Sequence, residues 1–530
     1  MIMIDPDRIP VLDLFAGPGG LGEGFTRCRV GNRRPFSIAM SVEKERNAHR
    51  TLRLRSFYRQ YASPSKVPQA FYRVLLGETP PEALADACPD TWQLAEEEAL
   101  QAELGDDSGN EAVDARIRTL KRQAKEKAFV MIGGPPCQAY SLVGRARQRG
   151  IEGFGKDPRH ILYLQYLRII ANTWPAAFVM ENVKGILSSK LGNERIFPRI
   201  LEDLHDPAKS LDKNVRSRNS RRYRLVPVAT PVDDTDLFGH SGINPRDYVV
   251  RCEDYGVPQK RHRVFIVGLR EDLSGHFEPL TPSHRITVRD VIGGMPELRS
   301  GLSPREATGD WQHAIRSGVS DSILRSVTET AGLSVSTLMR QALESIAGAD
   351  RTRGSEFVAG QGSDINDECI RRWIIDERLN GFCNHSARSH MRSDLVRYLF
   401  AACYSLNAGH SPTLAEFPAD LMPNHKNAQV AANDRSLFAD RFRVQVWDRP
   451  STTITSHISK DGHYFIHPDP EQCRSLTVRE AARLQTFPDN YFFCGPRTSQ
   501  YVQVGNAVPP LVASRIAASV YGFLIDSGVV

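Results

Sequence analysis

The chain has 530 residues, 41% of them hydrophobic and 25% charged, the balance of a soluble globular protein too long for a single ordinary core, so two domains or more are expected. No apolar run reaches the ~18 residues of a membrane span, and the N-terminus lacks the basic-then-apolar pattern of a leader, so neither a membrane protein nor a secreted one is expected. The net charge of +6 is a weak pull toward a polyanion, and nine scattered cysteines with no C-x-x-C pair argue against a disulfide framework or a zinc ribbon and for a reducing cytosol.

Residues 11–15, VLDLF, read as a short apolar strand that runs into AGPGGLG and then a helix. Strand, glycine turn and helix form the arrangement that lets a cofactor approach backbone at a sheet's carboxyl edge, although the turn alone could be only a turn. Residues 36–42 read as a second strand with Glu43 at its end. Glu43 follows the glycines at close to the ~20-residue spacing of a carboxylate that grips ribose hydroxyls, the plainer alternative being a solvated helix cap. Residues 51–127 read mainly as inserted helices, with solvated charge runs at Glu96, Glu97 and Glu98 and from Arg116 to Lys127.

Residues 129–132 read as a buried strand that stops at Gly133-Gly134-Pro135-Pro136-Cys137-Gln138. Glycine and proline fix the backbone of that turn, and a thiol held there is placed to react with something bound above the sheet edge. A buried structural cysteine is the commoner fate of a single Cys. Residues 141–150, polar and basic between glycines, suit a closing loop. A helix over about 160–172 leads to a strand at 177–180, and Glu181-Asn182-Val183 follows. A thiol and a carboxylate at converging strand ends make a nucleophile and a proton-handling partner, whereas Glu181 alone would read as a helix-cap neighbour. The run 213–224, KNVRSRNSRRYR, suits phosphate contacts or a surface loop that orders on a polyanion. In 259–263, QKRHR, the alternating Gln259, Arg261 and Arg263 share one side of an extended chain.

Taken together these segments resemble the bacterial-type DNA cytosine-5 methyltransferase family. The motifs, in the family's order, are DLFAGPGG (13–20), Glu43, GGPPCQAYS (133–141), ENV (181–183), QKRHR (259–263), LTVREAARLQTFPD (476–489) and QVGNAVPP (503–510). The resemblance implies an α/β fold: a Rossmann-like S-adenosylmethionine-dependent methyltransferase domain over 1–285 plus 500–530, with a helical insertion at about 51–127. A second, smaller target-recognition domain is implied over 286–499. One departure stands out: the family's Asp on a third strand, which meets the cofactor's adenine, has no counterpart that can be placed between Glu43 and Pro135.

By the same resemblance Cys137 attacks carbon 6 of a cytosine flipped out of double-stranded DNA, Glu181 holds its nitrogen 3 edge, and Arg263 holds its carbonyl oxygen. Phe15, Gly17, Gly19, Gly20, Glu43, Pro135, Asn506 and Val508 are implied to hold the cofactor. Gln138, Ser141, Asn182 and Arg261 are implied at the substrate, with Arg261 and Gln259 also ordering the loop and backbone. Residues 290–470 should carry sequence recognition. There, residues 321–347 and 393–408 read as helices and 442–447 as a strand. The hydroxyls of 452–457 suit phosphate oxygens and Thr477 to Glu480 opens a helix as a capping box, but these segments read mostly as architecture that holds two domains together, with DNA backbone contact the minor reading. No histidine or cysteine there has a regular metal spacing. The implied setting is cytoplasmic, bacterial and nucleoid-associated, in restriction-modification or phage defence, with a cognate restriction or defence complex as a further partner. The alternatives that remain are an RNA (tRNA) cytosine-5 methyltransferase and a catalytically silent DNA-binding protein.

Overall fold

The computed structural model describes residues 7–124, 128–136, 158–191, 194–211, 221–231, 244–303, 310–360, 365–423 and 440–530. Its centre is an eight-stranded sheet built from β1 (Ile9–Leu14), β2 (Phe36–Glu43), β3 (Ala99–Gln101), β4 (Val130–Gly133), β5 (Ala177–Val183), β6 (Tyr223–Val226), β7 (Val249–Arg251) and β8 (His262–Arg270). The order is β3-β2-β1-β4-β5-β8-β6, with β7 also on β8. The first five strands run parallel, and β8 joins β5, β6 and β7 antiparallel. Between β1 and β4 the strand order reverses, and a doubly wound sheet opens its crevice at the carboxyl ends beside such a point.

The apolar alternation explains why the sheet is buried on both faces. Val11, Val130, Ile132 and Val179 belong to one core, with α1 (Gly20–Arg27) and the C-terminal helix Pro510–Asp526 packed on it. Their neighbours Leu12, Met131, Phe178 and Met180 belong to the core on the other face, under the helix Pro158–Thr173. Side chains with period two must divide in this way.

Between β2 and β4 lie helices, as the sequence suggested, including α2 (Arg46–Arg59), α3 (Gln69–Leu75), α4 (Pro89–Glu98) and α5 (Asp107–Ala124). The insertion also contains β3, which sequence reading missed. Nor are all its acids solvated: Glu98 is 6% exposed and ion-paired to Arg59. Tyr72 and Trp92 of this insertion share a core with Leu379 and Cys494 of the second half of the chain.

That second half is mainly helical. The expected helix at 321–347 is broken at Gly332 (φ 93°) into α6 (Asp321–Ala331) and α7 (Leu333–Gly348), which pack against α8 (Arg392–Ala408) around Trp311, Met339 and Leu399. The segment 442–447 is not a strand; it contributes a single bridge, Val444 to Ile466. Thr477 does cap α9 (Val478–Leu484) in a reciprocal capping box with Glu480. The helix α10 (Arg497–Asn506) then leads through Pro509 into α11 (Pro510–Asp526) against α1.

Candidate functional site

Strand register assembles the site before any side chain is considered. Leu14 pairs with Val42 and with Gly133, and Gly133 pairs with Met180. The next residue along each strand therefore falls in one row: Glu43, Phe15, Gly134 and Glu181. With neighbouring strands ~4.8 Å apart, this row spans about 14 Å at the carboxyl edge, from the ribose-type acid to the acid beside the thiol loop.

At the β1 end the backbone turns sharply, with positive φ at Phe15 (56°), Gly17 (58°) and Gly19 (95°). Only glycine adopts such dihedrals without cost, so Phe15 is the strained member. A Cβ on Gly17 would meet nothing within 4 Å, which leaves open space above the loop. A Cβ on Gly20 would lie 2.2 Å from the Val508 carbonyl oxygen, so the last motif of the chain backs directly onto the first. Asn506 is exposed at the end of α10. Glu43 is half-buried. Its two oxygens accept from Gly17 N (2.8 Å) and Glu45 N (2.7 Å), and burial raises its pKa. A carboxylate has about four acceptor sites, so capacity remains for a ligand's hydroxyls.

Beneath the loop lies a group the sequence did not flag. Asp13 is fully buried on β1 with no side-chain hydrogen-bond partner among the described residues, and burial raises its pKa to about 7 against the opposing pull of Arg59 and the Gly22 backbone N–H. A Cβ on Gly22 would sit 2.7 Å from its Oδ2. Tyr491 was also missed: its hydroxyl donates to the Pro18 carbonyl inside the glycine turn. Its only signal was its place just past the FPD of the 476–489 motif.

At the other end of the row, Glu181 is 13% exposed and forms an ion pair with Arg263 (Oε1 to Nε, 3.1 Å). Burial raises its pKa, with Arg263 and then Arg261 opposing. A Cβ on Gly134 would come within 3.0 Å of Glu181 Oε2, so the thiol loop and the acid's strand touch. Asn182 is 4% exposed and donates to the Pro135 carbonyl at 2.9 Å. Its amide is used on the backbone two residues before Cys137 in the sequence, which is a positioning contact. Cys137, Gln138 and Ser141 themselves lie outside the described residues, as does most of the basic run 213–224.

Arg261 also spends its donors on backbone, in line with the loop-ordering role expected of it. It has no exposed surface and donates to the Ile454 (2.8 Å) and Gly505 (3.1 Å) carbonyls, while burial first and Arg263 second lower its pKa to about 9. Gln259, equally buried, accepts from Ile454 N (2.9 Å) and donates to the Leu484 carbonyl (3.3 Å). These two residues stitch the segment before β8 to the second half of the chain, while Arg263 alone of the three reaches the acid. Two of the hydroxyls in 452–457 are used inside the protein, as the architectural reading expects, Thr453 on the Lys260 carbonyl and Thr452 on Gln445.

The whole chain was compared with known proteins. The family model described as C-5 cytosine-specific DNA methylase matches residues 107–207 and 238–522. The chain belongs to the C-5 cytosine-specific DNA methylase family. It is 32% identical to the type II methyltransferase M.Bpa9945I of Bacillus paralicheniformis over 96% of this chain and 98% of that one. It is 27% identical to the type II methyltransferase M.AgeI of Thalassovita gelatinovora over 96% and 98%. It is also 27% identical to the DNA (cytosine-5-)-methyltransferase M.ApeKI of Aeropyrum pernix over 74% and 80%. The family's chemistry assigns this enzyme to DNA cytosine-5 methylation, and the RNA-modifying and silent readings are not favoured. The motifs read from the sequence span this methylase from its first strand to α11.

Proposed function

We propose that this methylase transfers the methyl group of S-adenosylmethionine to carbon 5 of a cytosine flipped out of duplex DNA, through a transient bond between Cys137 and carbon 6 of the base. The observation that carries the reading is the row at the sheet edge: the ribose-type acid Glu43 and the buried acid Glu181 in one register, with the Cys137 turn between their strands. Room for the cofactor's methionine end lies over Gly17, and Glu43 retains acceptor capacity for two hydroxyls. S-adenosylmethionine supplies an electrophilic methyl group and leaves as the neutral thioether.

The chain's own groups do the rest. A cysteine thiol is only a few per cent ionised near neutral pH. Asn182 holds the Pro135 carbonyl two residues before Cys137 in the sequence, and a restrained lead-in of this kind favours a defined line of attack. Burial raises the pKa of Glu181, which favours its sharing a proton with nitrogen 3 of the base and drawing electron density from the ring as the sulfur–carbon 6 bond forms. Arg263 balances that acid, and its remaining donors are proposed to hold the base's carbonyl oxygen. Methyl transfer to carbon 5 is followed by loss of the carbon 5 proton and rupture of the sulfur–carbon bond, which restores the thiolate. The adenine acid missing from the sequence reading is proposed at Glu103, two residues past β3, where it pairs with Lys44 at 2.9 Å. Target recognition is proposed for 286–499, and a type II restriction-modification setting rests on the relatives' names.

The test uses purified protein, tritiated S-adenosylmethionine, mixed-sequence DNA, a matching RNA pool and a Cys137→Ala control, followed by bisulfite sequencing. Label on cytosine carbon 5 of DNA, absent in the control, supports the reading and gives the target sequence. Label confined to RNA, or full transfer by Cys137→Ala, overturns it.

A further inference from the structure

On the edge of the sheet opposite the cofactor loop lies a second cleft, of about 1360 Å³. Arg8, which precedes β1, and Ser37 and Ile38, which open β2, line it. Since β2 is eight residues long, its amino end lies about 23 Å from Glu43, too far for this to be part of the cofactor site. The other wall comes from the second half of the chain, including Trp373 and Arg378.

The cleft's charges do not balance. Eight arginines and four carboxylates line it, so it carries an excess of positive charge. Each carboxylate already has a partner. Glu23 takes Arg55 in a two-point contact (2.8 and 2.5 Å), Glu98 takes Arg59, Asp376 accepts from Tyr72 (2.9 Å) and Asn490 (2.6 Å), and Glu377 faces Arg371 at 3.8 Å.

The excess is concentrated at one place. Between α1 and β2 the chain makes a tight hairpin in which Val30 and Arg33 exchange backbone hydrogen bonds of 3.2 Å, with Gly31 at φ 60°. The next pair out on this hairpin is Arg29 opposite Arg34. Like charges directly opposite on paired strands are destabilising. Among the described residues Arg34 has one long contact, 3.5 Å to the Ala62 carbonyl, and no acid is paired with either arginine. Burial, then Arg29 and Arg8, lower the pKa of Arg34. Behind them Arg27 stacks on Trp373 at 4.2 Å and donates to its carbonyl (2.7 Å). An anion between Arg29 and Arg34 would convert a repulsion into two charge-assisted contacts.

We propose that this cleft binds the phosphodiester backbone of a nucleic-acid strand outside the catalytic crevice. The inference rests on the DNA reading above. A cleft lined by the paired arginines Arg29 and Arg34 and by the aromatic side chains Tyr61 and Trp373 combines the two features by which proteins track a strand, positive charge and stacking surface. The phosphates come either from a distant part of the substrate duplex or from a second nucleic-acid molecule.

The experiment compares the full-length enzyme with R29A/R34A and with R29K/R34K. The first measurement is binding of a fluorescent single-stranded oligothymidine across a salt series. The second is methyl transfer to a short and a long duplex. Neither arginine touches the cofactor loop or the Glu181 end, so kcat on the short duplex should not change. R29A/R34A should bind oligothymidine about tenfold more weakly, with a salt slope shallower by about 2, and R29K/R34K should keep the slope. A raised KM on the long duplex alone identifies the substrate's own distant phosphates. An unchanged KM on both duplexes, with oligothymidine binding lost, identifies a second molecule. Equal oligothymidine affinity and salt slope in wild type and R29A/R34A, with methyl transfer intact, overturns the inference. Wild type that transfers no methyl group to any DNA overturns the reading beneath it instead.

Discussion

Two buried polar side chains carry more of this site than their place in the sequence suggests. Asn182 sits in a motif that reads as substrate contact, yet its amide is used on the Pro135 carbonyl. Replacing it with Ala leaves that carbonyl unpaired and frees the turn that ends at Cys137. Asn182→Ala should lose about 10- to 100-fold in single-turnover methyl transfer while binding DNA as wild type does, because a small misplacement of a reacting atom is enough for such a loss. Asp13 makes a different prediction. Its pKa rises from 3.8 to about 7, so the folded protein holds a proton that the unfolded chain releases across that interval. The stability tied to that proton is complete below pH ~4 and is lost as pH rises through 7. Asp13→Asn keeps the shape and cannot ionise, so melting curves at pH 8 should show it more stable than wild type, on the order of a few kcal/mol, with the difference vanishing near pH 4. A variant less stable than wild type at pH 8 would mean that the carboxylate has a compensating partner.

At the scale of elements, the glycine turn is clamped from two directions by segments hundreds of residues away. Val508 presses on Gly20, and Tyr491 holds the Pro18 carbonyl. Tyr491→Phe removes one hydrogen bond worth ~1 kcal/mol and little volume. The KM for S-adenosylmethionine should rise about fivefold with kcat nearly unchanged, since the hydroxyl shapes the cofactor loop and is remote from the Glu181 end. Such clamps also show how far sequence reading reaches. The strands β1, β2, β4 and β5 and the acids Glu43 and Glu181 were legible because apolar period and motif spacing are local. The three-residue β3, Ala-Leu-Gln, carries no apolar pattern, and only its pairing with Ser41–Glu43 makes it a strand. The burial of Asn182 and Arg261 was hidden for a related reason. A motif fixes which residue is present, but its direction is set by a carbonyl supplied from elsewhere, Pro135 in one case and Ile454 and Gly505 in the other.

Across the whole molecule, the insertion after β2 is a strut between the two halves of the chain. Tyr72, 2% exposed on α3, donates to Asp376 in the second half, and Asp376 also accepts from Asn490. Asn490 in turn accepts from Arg55, whose guanidinium is bound to Glu23 on the helix that opens at the cofactor turn. One continuous polar chain thus runs from the helix behind the cofactor loop to the half proposed to read DNA. Truncating Asp376 to Ala strands the Tyr72 hydroxyl, while the Asn490 amide keeps only Tyr58, and a buried donor left unpaired costs about 1–3 kcal/mol. Calorimetry should show the consequence in form as well as size. If the strut couples the halves, Asp376→Ala should lower the melting temperature and split one transition into two, the cofactor stabilising only the earlier or the later. A lowered but still single transition would mean that the apolar cluster of Phe57, Tyr72 and Trp92 with Leu379 and Cys494 already holds the halves together, and that the polar chain orients them without binding them.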